Sequence, residues 1–218
     1  MANYNLEDIE QQLKQRLPYK NLWFRKQNDL WDQRSTYIYE TPFWEVLIKK
    51  IEQAVKRYNY DKKPYFYYAI NRWYNFWSAY AIERIFIEAP QIIANPNPKK
   101  GHYDFNWNGI PFDHKTSVFP KGFKGGDAAA YDFAKAHPEQ LAIWLYKNQS
   151  TGQRYHLKNR LFVMVYATDG AHYRLKAEIS WLKEIVTNYV RTFEPSQLIQ
   201  LQLQEKQQTL TDIIWAER

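Results

Sequence analysis

The chain has 218 residues, of which 45% are hydrophobic and 18% aromatic, with seven glycines and ten prolines. That composition excludes a disordered or collagen-like chain and supplies core material for one domain with additions. The formal net charge of +7 attracts phosphate polymers and anionic surfaces alike, and the absence of cysteine removes any disulfide framework, thiolate nucleophile or Cys-based zinc site.

No apolar run reaches membrane-spanning length, and the segment Met1–Gln15 is polar. A soluble, cytoplasmic protein with no membrane segment is the expectation. Leu6, Ile9, Leu13 and Leu17 recur at helical spacing, and Pro18 ends that helix. Residues 19–40 are aromatic and irregular. A second helix is predicted from Thr41 as cap and Pro42 as first position, with Phe43, Leu47, Ile51, Ala54, Val55 and Tyr58 as its stripe.

A long helix is predicted over 64–88, closed by Ala89-Pro90, and Asn95-Pro96-Asn97-Pro98 marks a loop. A hairpin over 103–115, a Lys/Gly loop and a helix over 127–136 follow. Residues 141–146 and 161–167 read as buried strands, 176–190 as a helix, and 195–214 as a final Gln-rich helix. The expected fold is an α/β sandwich with a mixed sheet flanked by helices and a helical N-terminal addition. The expected division is a helical extension over 1–60, an α/β core over 61–192 and a C-terminal helix over 193–218.

The hairpin carries the chemistry. Asn108-Gly109 suits a two-residue type I′ turn, which needs positive φ at both positions. A turn of that length pairs Trp107 with Ile110, Asn106 with Pro111, Phe105 with Phe112 and Asp104 with Asp113. By alternation, Tyr103, Phe105, Trp107, Ile110, Phe112 and His114 form an apolar face, where His114 is packed. His102, Asp104, Asn106, Asp113 and Lys115 form the other. Two carboxylates would then stand about 5 Å apart at Cβ, an arrangement that repels unless a cation intervenes. A hard divalent ion such as Mg²⁺ suits it, with Mn²⁺ able to substitute. The competing reading is a solvated strand face with Lys115 as counter-ion.

Tyr103-Asp104 followed by Asp113-His114-Lys115 resembles the motif of the PD-(D/E)xK phosphodiesterase superfamily, the restriction-endonuclease-like nucleases. Tyr103 stands where that motif has Pro, and His114 where it usually has an apolar residue. The resemblance covers about 68–167. It implies a restriction-endonuclease-like mixed sheet, in which a Glu-bearing helix precedes the hairpin and a helix and strand follow it. It also implies that Asp104 and Asp113 bind metal, that Lys115 is catalytic, and that a Glu on the preceding helix completes the site.

Glu83 matches that last role. It lies one turn from Ala79, Tyr80, Phe86 and Ile87, and a carboxylate on an apolar stripe is costly unless paired or metal-bound. A buried ion pair would explain it equally well. Two basic segments could meet a phosphate backbone: Lys121 and Lys124 in a glycine-rich turn, and Arg154, His156, Lys158 and Arg160, which share a side at strand period. A surface turn and a charge-protected edge strand are the competing readings.

Together these lead to the expectation of a Mg²⁺-dependent endonuclease acting on DNA, in a restriction, homing or repair role. Cutting both strands would suit a homodimer. The alternatives are a non-catalytic nucleic-acid-binding protein on the same fold and a structural or interaction protein.

Overall fold

A computed structural model describes residues 4–25, 29–97, 103–148, 158–204 and 207–218. Contacts divide the chain into two compact units, Met1–Ala81 with Lys176–Trp181, and Ile82–Leu175 with Leu182–Arg218. No helix among the described residues is long and apolar enough to cross a membrane.

The first unit is helical. It contains α1 (Leu6–Lys14), α2 (Asp29–Arg34), a 3-10 turn over Thr36–Glu40, α3 (Trp44–Tyr58) and the first part of α4 (Lys62–Ile87). Asn5 caps α1 by accepting from the Glu7 amide. The helix expected from Thr41 begins at Trp44 instead. Thr41 is drawn away because its hydroxyl donates to the Tyr37 carbonyl, and the Gln12 side chain of α1 accepts from the Trp44 amide. A distant amide therefore does the capping that a local hydroxyl was expected to do.

The α4 helix shows why its aromatic run is core. Trp73 and Trp77 are fully buried, and their indole N–H groups donate to the carbonyls of Thr41 and Ile38. Arg72 ion-pairs with Asp32 and donates to Ser35, tying α2 to α4. Among the described residues Lys176 has no carboxylate within ion-pair distance; it is buried and donates to Asn75, and burial brings its ammonium down to about 8.

The second unit holds a six-stranded mixed sheet in the order β1 (Ile92–Ala94), β2 (Phe105–Trp107), β3 (Ile110–Val118), β4 (Arg160–Tyr166), β6 (Gln207–Glu217), β5 (Ile199–Gln204). Pairs β1–β2, β2–β3 and β5–β6 are antiparallel, whereas β4 runs parallel to both β3 and β6. The crossover from β3 to β4 carries α5 (Ala128–Ala136), capped by Asp127, and α6 (Pro138–Asn148). The parallel register sets Lys115 beside Phe162 and His114 beside Leu161. Phe162, Met164 and Tyr166 alternate onto the face covered by α5 and α6, where Phe119, Tyr131, Leu141 and Leu145 complete a core. The opposite face meets α7 (Ile179–Thr192), whose Tyr189 donates to Asp212 and packs with Phe193 against Trp107.

Two expected elements are corrected. Residues 141–146 belong to helix α6, not a strand. Pro138 opens the helix, and Leu141, Ala142, Leu145 and Tyr146 are buried at a helical spacing that an unbroken apolar run conceals. The C-terminal helix is absent: the segment forms β5 and β6. Ile199, Leu201 and Leu203 alternate with Gln200, Gln202 and Gln204, and that two-residue period outweighs the helix propensity of glutamine.

Candidate metal centre

The Asn108-Gly109 turn forms as the sequence predicts, with φ of 51° and 84°, and the Asn106 side chain accepts from the Gly109 amide. Trp107↔Ile110, Asn106↔Pro111 and Phe105↔Phe112 pair as expected. The register then breaks. The Asp104 amide donates to the carbonyl of Phe112, the residue already opposite Phe105, so two residues of one strand share one partner. Asp104 therefore does not face Asp113. A one-residue slip turns a side chain to the other face of the sheet.

The two carboxylates separate accordingly. On the α5/α6 face, Asp113 is buried, with one oxygen 2.9 Å from Arg160 Nε and the other 3.2 Å from Lys115 Nζ. Arg160 also lies over the Tyr146 ring. Asp113 thus has local cations of its own. On the opposite face, Asp104 accepts from both the backbone amide and Nδ1 of His114, at 2.8 and 2.9 Å. His114 is buried against Phe86 and Phe105. It does lie on the apolar face, as alternation predicts, but as a polar partner rather than as packing.

Glu83 completes this second group. Ligand-capable atoms of Glu83, Asp104 and His114 lie within 4.8 Å of one another, the one such trio of potential metal ligands found among the described residues. Phe86, one turn along α4, packs on Phe105, which carries Glu83 towards the hairpin. Burial raises the proton affinity of the Glu83 carboxyl, and the nearby Asp104 adds to this against the opposing charges of His114, Arg84 and Lys115. Burial pushes Asp104 the same way, but its hydrogen bonds and charge attraction to His114 outweigh it and hold Asp104 below the usual carboxylate range. Two neighbouring carboxyls are driven apart in acidity, a pattern typical of functional sites and of structural ion networks alike.

No family model, curated protein or solved structure matches the chain.

The trio offers two hard oxygen donors and one imidazole nitrogen. Cis ligands of an octahedral ion at metal–ligand distances of about 2.1 Å lie roughly 3 Å apart, and Asp104 Oδ2 and His114 Nδ1 already have that separation. Binding through His114 Nδ1 would need the tautomer in which that nitrogen carries no proton. A nitrogen donor suits Mn²⁺ better than Mg²⁺. The charge of Lys115, on the opposite face of the sheet, still reaches both Glu83 and Asp104.

The predicted nucleic-acid contacts fare unevenly. Lys121 and Lys124 lie exposed in the turn after β3; Lys124 rests over the Phe133 ring, and Gly126 is required because a Cβ there would sit 2.4 Å from the Lys121 backbone. Lys158 precedes β4, and Arg160 is committed to Asp113. Arg154 and His156 lie outside the described residues. The residue missed as a possible ligand is His114. Its signal was present in Asp113-His114-Lys115, but only the break at Asp104 gives it a carboxylate partner.

Proposed function

We propose that the chain is a divalent-metal-dependent phosphodiesterase that cuts DNA, built on a restriction-endonuclease-like sheet. The convergence of Glu83, Asp104 and His114 carries this reading. The order of a Glu-bearing helix, a hairpin, a helical crossover and a parallel strand is the order the PD-(D/E)xK resemblance implies. Glu83, Asp104 and His114 would hold the ion, Mg²⁺ or Mn²⁺, which would supply Lewis-acid polarisation of a phosphoryl oxygen and of water. Lys115 would stabilise charge developing on the phosphate. Asp113 would keep Lys115 in place, since its other oxygen is anchored by Arg160.

One observation favours the alternative of a DNA-binding protein without catalysis: both Asp113 oxygens are occupied by cations of the chain itself. Cleavage of plasmid, branched and single-stranded DNA with Mg²⁺ and with Mn²⁺ decides between them. Cutting is expected, with Asp104→Asn and Lys115→Ala each slower by about a hundredfold or more while DNA binding persists. Binding with no cutting of any DNA form would sink the catalytic reading and leave the alternative.

A further inference from the structure

The helical unit contains a cationic hollow remote in sequence from the hairpin. It measures about 260 Å³ and is lined by Arg34, Tyr37, Lys50, Gln53, Arg57 and Tyr58. A neighbouring hollow of about 380 Å³ shares Arg34, Tyr37 and Tyr58 and has Glu40 in its lining. Among the described residues the first is lined by three cations and no acid. Lys50, Gln53 and Arg57 follow one another at three and four residues along α3, so they share one face of the helix. Arg34 reaches them from the last turn of α2.

The cations are held by neutral groups. Arg34 donates to the Tyr60 hydroxyl at 2.7 Å and lies 4.4 Å from the centre of the Tyr58 ring. Arg57 approaches the same ring. Lys50 donates to the Thr41 hydroxyl at 2.8 Å. None of the three makes an ion pair among the described residues. Arg34 and Lys50 are half-buried. Gathering cations in a partly desolvated hollow with no counter-charge costs free energy that an anionic ligand would recover. Fixed guanidinium groups beside a half-buried tyrosine ring suit a phosphate backbone with a base stacked alongside.

We propose that this hollow binds the phosphodiester backbone of DNA, with Arg34, Lys50 and Arg57 as the phosphate contacts and Tyr58 as the stacking surface. The proposal rests on DNA as the substrate class of the catalytic reading but not on catalysis, so its test is run in EDTA. Fluorescence anisotropy of labelled duplex and single-stranded DNA is measured against salt for the parent, the double variant Lys50→Gln with Arg57→Gln, the charge-keeping pair Lys50→Arg with Arg57→Lys, and Lys147→Gln, an exposed lysine on α6. The Gln pair should bind about tenfold or more weakly, with a log K against log salt slope lower by about two. The charge-keeping pair and Lys147→Gln should stay near the parent.

Inorganic pyrophosphate serves as the competitor for a small-anion site. If it binds the parent but not the Gln pair while DNA binding is unchanged, the hollow takes a free phosphate and the proposal falls. It falls also if the Gln pair and Lys147→Gln bind DNA alike, or if the parent binds no DNA in EDTA. Failure to cut DNA that is still bound would leave this proposal standing and remove only the catalytic one.

Discussion

At the residue scale, Glu83 and Asp104 have opposite dependences on pH. Burial and Asp104 make folded Glu83 hold its proton above its ordinary value of 4.5, so ionising it costs stability as pH rises through the folded value, and the cost is absent below the unfolded one. Asp104 is held below its ordinary 3.8 once the His114 hydrogen bonds overcome burial, so its contribution is present above that value and lost as pH falls through the folded one. In EDTA at neutral pH, Glu83→Gln should therefore stabilise the protein, by about 1 kcal/mol or 2–4 °C in Tm. The gain should fade as pH approaches 4.5. Mn²⁺ should raise the Tm of the parent, because an ion bound only by the folded state stabilises it, and should raise that of Glu83→Gln far less. Thermal melts with EDTA and with Mn²⁺ check both. A lower Tm for Glu83→Gln in EDTA would mean the carboxylate anchors the fold instead.

At the element scale, the hairpin depends on its turn. Gly109 sits at φ 84°, and a Cβ there would meet nothing within 4 Å, so Gly109→Ala carries a backbone cost alone. That cost is about 1–2 kcal/mol, measured by chemical denaturation, whereas Asn108→Gly should be close to neutral. The turn was legible because Asn-Gly is a local signal with one dominant geometry. The break at Asp104, four residues before Asn108, was not. It is set where the Asp104 amide meets the Phe112 carbonyl and the His114 imidazole receives the Asp104 carboxylate, and neither contact is encoded in alternation. The same contrast holds for β5. Its two-residue alternation was visible, but the helix propensity of glutamine competed with it, and only pairing with β6 decides such a conflict.

For the whole molecule, the last strand is an interior one. β6 lies between β4 and β5, and its Ile213 joins the core under α5 and α6. Deleting 207–218 would leave β4 with an unpaired edge and open that core. The truncated chain should lose the cooperative melt of the sheet-bearing unit and should aggregate, as checked by circular dichroism and size-exclusion chromatography. The helical unit follows a similar logic: its fit rests on contacts such as Gln12 with Trp44 and Trp73 with Thr41, each 32 residues apart.

Local pattern alone determined the long aromatic helix, the Asn-Gly turn, the apolar face that includes His114, and the oddness of Glu83. Each depends on neighbours within one or two turns of helix or one step of pleat, where sterics and periodicity leave few options. The tertiary structure decided which groups meet. It turned Asp104 away from Asp113 and onto His114, gave Asp113 to Arg160 from 47 residues away, and gathered Arg34, Lys50 and Arg57 from two helices into one hollow. Those outcomes depend on strand register and on long-range burial of charge. A shift of one residue reverses the face a side chain occupies, and the sequence carries no local record of that shift.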